Sequence, residues 1–188
     1  LLIFGMYLYT YRRKLLDTLR NTFFFTILMA ILITAAFLVS QFAPVGYIYL
    51  IPFAWGPIIT RVFYDSRTAI FIHLITTLIV SVAVPAPYVF ITLQIIGGIV
   101  AVISLRDMTQ RAQLAQTALF TFLAYSIVYT ATSMLMAGDM TNIDYHYYIY
   151  FLINAVLVIC AYGLIFLFER TFGLVSNITL VELTNVNS

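Results

Sequence analysis

Few side chains in this chain are equipped to do chemistry. Among 188 residues there are two histidines, seven carboxylates and one cysteine, Cys160, and acid–base or nucleophilic catalysis needs at least two such groups within hydrogen-bond reach. His73 and His146 belong to segments that place them near opposite ends of the fold, so a histidine-based metal site is not expected. Nor does the sequence suggest a His–Asp pair, a Gly-rich phosphate loop or a nucleophile with a base beside it. Three polar side chains sit instead inside apolar runs: His73, Gln94 and Asn154. His73, about one and a half turns beyond Arg67, is expected close to the interface that the arginine marks. It is a candidate proton or ligand sensor, or else a side chain hydrogen-bonded to a neighbouring helix. Gln94 and Asn154, near mid-segment, are candidates for substrate contact or for interhelical amide bonds that set register.

A second group is charged. Arg61, Asp65 and Arg67 lie in one connection, and Arg106, Asp107 and Arg111 in another. They are placed to pair across one face and to attract anionic headgroups, or to act as orientation determinants alone. A third group is aromatic: Tyr145, His146, Tyr147, Tyr148 and Tyr150 crowd one segment start, as an interfacial belt or a ligand pocket.

The elements that must position these residues follow from composition. Hydrophobic residues make up 63% of the chain and charged ones 9%, and the mean hydropathy is +1.04. Soluble domains carry roughly 25% charge, so this is an integral membrane protein with too little polar chain for a soluble catalytic domain. Apolar segments fall at about 1–11, 22–43, 46–63, 68–84, 88–105, 115–137 and 146–168. They are continuous runs without alternation, which predicts helices, because helices satisfy their own backbone in lipid. The fold expected is all-α: a polytopic transmembrane helix bundle of about six full spans plus one truncated N-terminal span, over 1–170, followed by a linker over 171–188.

All nine Lys and Arg residues fall in alternate connections or after the last span: Arg12, Arg13, Lys14 and Arg20, then Arg61 and Arg67, then Arg106 and Arg111, then Arg170. The intervening connections hold none, and the last of them carries Asp139 and Asp144. Basic residues stay on the cytoplasmic side, so the C-terminus is expected there. Within the spans, Pro52 and Pro57 predict a kink in 46–63, and Gly97-Gly98 with Ala101 predict a small-residue packing face. The opening half-span and the lack of an initiator methionine suggest a module of a longer protein.

Three stretches carry a resemblance. Asp65-Ser66-Arg67-Thr68-Ala69 leads to His73-Leu74; Ser104-Leu105-Arg106 follows; and Glu169-Arg170-Thr171-Phe172-Gly173 runs on through Val175-Ser176 and Thr179-Leu180 to Glu182-Leu183. From about Tyr49 to Asn185 this resembles the membrane region of the bacterial seven-transmembrane receptors with an intracellular HD hydrolase domain. The resemblance implies a larger parent in the bacterial inner (plasma) membrane, with its own extracytoplasmic domain and an HD domain after Ser188. Family members look like cyclic di-AMP phosphodiesterases, so iron or manganese is expected in the HD domain, and no catalytic residue or cofactor in this chain. Phe172, Gly173, Thr179 and Glu182 become candidates for a coupling linker. The expected function is membrane anchoring and signal coupling for that phosphodiesterase, with the bilayer, its own extracytoplasmic and HD domains and a second copy as candidate partners and no nucleic acid. A small-solute transporter or channel is the alternative, because proline-interrupted and short spans mark binding sites in transporters.

Overall fold

The computed structural model describes Met6 and residues 19–105, 112–137 and 143–173. Among them every regular element is helical. The order is α1 (Leu19–Phe42), a 3₁₀ segment (Val45–Leu50), α2 (Trp55–Phe63), α3 (Ser66–Ser81), α4 (Pro87–Ser104), α5 (Ala112–Ala137), α6 (His146–Ile159) and α7 (Ala161–Phe172). Five stretches are long and apolar enough to cross a bilayer: Asn21–Phe42, Val45–Phe63, Pro87–Ser104, Gln113–Met136 and His146–Phe172; Ser66–Ser81 is a shorter sixth. The chain therefore forms a helical transmembrane bundle. The half-span over 1–11 lies, apart from Met6, outside the described residues.

Two spans differ from the expected continuous helices. The 46–63 span is broken outright: Ile51 is extended at φ −69°, ψ 121°, the conformation forced on a residue preceding proline. Pro57 does no such damage, because it lies in the first turn of α2, where a missing N–H costs nothing. The last span is interrupted at Cys160, where α6 ends and α7 begins. α7 then runs to Phe172 and stops at Gly173, whose φ of 60° and ψ of 30° are left-handed. Glycine takes that helix-ending conformation without steric cost.

α3 is the short one, 16 residues or about 24 Å, against a hydrocarbon core of about 30 Å. It packs on α1, α2 and α4, so protein surrounds much of it and it need not match the bilayer. Its polar side chains are accordingly interior: Thr68, His73, Thr76, Thr77 and Ser81 are all buried. Thr76 and Ser81 return their hydroxyls to Ile72 and Leu78 carbonyls at 2.9 and 2.8 Å. Lipid-facing surface is supplied by α1, α5, α6 and α7, where Phe37, Ile127, Leu152, Val156 and Leu167 are more than half exposed. A soluble protein does not leave so much apolar surface uncovered.

Candidate functional site

The polar residues in the spans converge on a chain through the bundle's middle. His73 is the eighth of sixteen residues in α3, at mid-helix. Its position near an interface, expected from the distance to Arg67, is thus corrected: α3 is so short that one and a half turns reaches its centre. His73 Nε2 lies 2.6 Å from the carbonyl oxygen of Gln94 on α4. A carbonyl only accepts, so Nε2 carries the proton. The Gln94 side chain turns to the other side, where its Oε1 accepts the Tyr125 hydroxyl of α5 at 2.7 Å. Gln94 is fully buried, and its Nε2 makes no hydrogen bond among the described residues. α3, α4 and α5 are thereby joined through one residue.

Gly97 and Gly98 are what make that arrangement possible. A Cβ on Gly98 would run into Cδ2 and Nε2 of His73, and one on Gly97 into the Tyr125 ring, with Cζ at 2.8 Å and the hydroxyl at 3.1 Å. The small-residue face expected for helix-on-helix packing is, more specifically, a pair of seats for two polar rings.

Asn154 forms a second centre. Its Nδ2 donates to the carbonyls of Tyr49 and Ile51 at 2.8 and 2.9 Å, the backbone exposed where Pro52 breaks the span. In return Trp55, at the start of α2, donates its indole N–H to the carbonyl of Leu157 at 2.8 Å, just before the Cys160 break. Each broken span thus satisfies backbone of the other, as buried carbonyls require in a membrane.

At the end marked by Asp144, expected from the sequence to be the outer one, the tyrosines face mostly inward. Tyr49 and Tyr129 are buried and Tyr147, Tyr148 and Tyr150 half-buried, with Tyr145 71% exposed. Tyr129 and Tyr147 stack at 4.8 Å, Tyr49 and Tyr147 tilt together at 5.5 Å, and Phe151 connects Tyr129 to Tyr125. A cavity of about 130 Å³ opens among Tyr49, Tyr129, Tyr147, Ser133, Val84 and Val89. Of the five residues that crowd this segment start, Tyr147 alone lines the cavity. Beside it stands a His–Asp pair that the sequence reading excluded: Asp144 Oδ1 accepts the His146 backbone N–H at 3.0 Å and lies 2.8 Å from its Nδ1. The two residues are only two apart, and a local turn joins them. Those two bonds hold the Asp144 carboxyl below its usual range, the backbone N–H contributing most.

At the opposite end the aromatics are phenylalanines. Phe24, fully buried, meets Phe25, Phe63, Tyr64, Phe168 and Phe172 with ring centroids 5.2–5.7 Å apart. Phe168 and Phe172 stack at 5.6 Å, and Tyr64 donates to Asn21 Oδ1 at 3.1 Å. The cluster locks the end of α7 to α1 and α2. Asp65, proposed above as a charge partner, is the N-cap of α3, accepting the Thr68 N–H at 2.9 Å. Arg61 is half-buried on α2 and Arg67 exposed on α3. Arg106, Asp107 and Arg111 lie outside the described residues, as do Thr179 and Glu182.

A family model described as 7TM receptor with intracellular HD hydrolase matches residues 1–176. The chain belongs to this family. The match takes in the opening half-span and the basic connection after it, ahead of the Tyr49 at which the resemblance began, and it ends at Ser176. In this receptor module Phe172 and Gly173 therefore fall within the matched region, and Thr179 and Glu182 beyond it. No curated protein and no solved structure matches the chain significantly.

Sequence reading missed Tyr125, Trp55 and Phe24, the partners that give Gln94, Leu157 and Phe172 their roles. In a chain with 14 tyrosines and 16 phenylalanines, no single ring stands out. Tyr125 carried one usable signal: it lies in a span opposite the Gly97-Gly98 pair, which leaves room for a large side chain.

Proposed function

We propose that the chain anchors an HD-type phosphodiesterase in a bacterial plasma membrane and transmits helix movement to it from the outer face, with cyclic di-AMP as the substrate of the parent. The observation that carries this reading is the Phe24–Phe168–Phe172 cluster. It ties the end of the last span, from which the linker leaves, to α1 and α2 rather than letting it hang as a tether. The continuous ring contacts from Tyr147 through Tyr129 and Phe151 to Tyr125 support it too, since they bring outer-face packing to the Gln94 centre. Coupling of this kind needs elements with discrete alternative packings, and the break at Pro52 and the interruption at Cys160 are the places in these spans where the helix could bend.

The C-terminal end faces the cytoplasm in this reading, following the basic residues. Iron or manganese belongs to the HD domain, and no chemical step is assigned to this chain. Self-association remains part of the proposal, through the exposed apolar faces of α5 and α6. The test is full-length parent protein in liposomes, assayed for cyclic di-AMP hydrolysis. Phe24→Ala and Phe172→Ala should each change the rate at least about fivefold in protein that remains helical. Rates indifferent to both substitutions would reduce the module to an anchor.

The discontinuous spans that favour the transport reading are accounted for otherwise. Carbonyls freed at such breaks coordinate substrate ions in transporters, whereas here those of Tyr49, Ile51 and Leu157 are taken by Asn154 and Trp55. Solute flux through liposomes that is abolished by His73→Ala or Gln94→Ala would restore it.

A further inference from the structure

We propose that the outer-end cavity is a binding site for a small organic cation, an amine or quaternary ammonium group. The inference concerns binding alone and holds whether or not the module couples to a hydrolase.

Four observations carry it. The first is size: the cavity measures about 130 Å³, close to the roughly 150 Å³ in which a benzene-sized guest is accommodated, so a trimethylammonium group fits and a large molecule does not. The second is the lining. Tyr49, Tyr129 and Tyr147 come from three separate elements, the 3₁₀ segment, α5 and α6, and all border the space. Aromatic rings attract cations through their π-electron faces, and the Ser133 hydroxyl and the phenol oxygens add acceptors.

The third is charge. Asp144 lies beside the lining rather than in it: its backbone carbonyl receives the Tyr129 hydroxyl at 3.4 Å, which brings this acidic residue next to one of the three rings. Among the described residues both hydrogen bonds to its carboxylate fall on Oδ1 and come from His146. The fourth is the absence of any competitor in the sequence: the outer connections contain no Lys or Arg. An anionic ligand would meet a carboxylate with no counter-charge to hold it, and a neutral one would gain nothing from Asp144. The same walls include Val84 and Val89, which suits methyl or methylene groups around a charged nitrogen better than a hydrated metal ion.

A free amine and the headgroup of a neighbouring lipid share this chemistry, and the test separates them. The 188-residue chain is placed in nanodiscs of phosphatidylglycerol, and choline and its uncharged carbon isostere dimethylbutanol are titrated by calorimetry. Choline should bind about tenfold more tightly than the isostere. Asp144→Asn, an exposed change that spares the fold, should weaken choline roughly threefold to fivefold without affecting the isostere, and Ser133→Leu, which fills the space, should abolish binding of both. Choline binding lost in phosphatidylcholine discs identifies the lipid headgroup as occupant, and binding kept there identifies a free amine. Equal affinity for choline and isostere, no binding of choline, or choline binding unmoved by Asp144→Asn would each overturn the proposal.

Discussion

The two ends of the bundle are both packed with aromatic rings, yet one is open and the other closed. At the Asp144 end the rings are tyrosines, and the packing leaves a cavity of about 130 Å³. At the Arg170 end they are mostly phenylalanines, and Phe24 is fully buried against five other rings. A phenol must keep its hydroxyl beside water or an acceptor, which constrains how tyrosines pack; phenylalanine has no such requirement and packs solid. Between the ends, Gln94 and Asn154 join helices by directional bonds that hydrophobicity cannot supply in lipid. The proposed coupling uses both: a cavity at one end and a tightly held last helix at the other.

The contrast breaks most readily at the closed end. Phe24→Ala should cost about 3 kcal/mol, the usual loss for emptying a large buried aromatic site. The measurement is thermal unfolding in detergent, and a change under 1 kcal/mol would mean that the inner cluster does not hold α7. Gly98→Ala should cost about 2–3 kcal/mol by driving a methyl group into the His73 ring. Adding His73→Ala should recover much of that loss, a coupling absent if Gly98 serves backbone packing only. A smaller effect is expected in the middle: Asn154→Leu should cost about 1–2 kcal/mol by removing the side-chain donor to the Tyr49 and Ile51 carbonyls, the second of which keeps the Phe53 N–H. Trp55 is the only tryptophan, so its emission should shift to the red as the two broken spans separate.

The smallest effect belongs to the open end. The Asp144 carboxyl is held below its ordinary value of 3.8 by the hydrogen bonds from His146, so the ionised form is favoured in the folded state. Its contribution is complete above that ordinary value and is lost as pH falls through the lowered one. Amide exchange at His146, corrected for intrinsic rate, should therefore lose protection as pH falls below about 4. Asp144→Asn should remove that dependence; a profile unchanged by the substitution would assign it to another group.

Much of the architecture was legible in the residues. Long uniform runs such as 22–43 and 115–137 have one stable form in lipid, and α1 and α5 follow them closely. His73, Gln94 and Asn154 stood out because polar groups are costly there and so must be partnered. What could not be read was the partner: Gln94 engages Tyr125, 31 positions away, and Asn154 engages the Tyr49 carbonyl, 105 positions away. Pro52 and Pro57 look alike in sequence, and only their places in the helix make one a break and the other harmless.

The sequence by itself determined that this chain lives in a membrane, where its long apolar helices lie and which of its side chains must be hidden, because transfer of apolar and charged groups between water and lipid depends on local composition. Tertiary structure decided the rest: that His73 is central, that glycines seat its ring and that of Tyr125, that two broken spans brace each other, and that tyrosines enclose a space while phenylalanines fill one. Those outcomes depend on directional bonds and excluded volume between helices distant in sequence, and no local pattern encodes them.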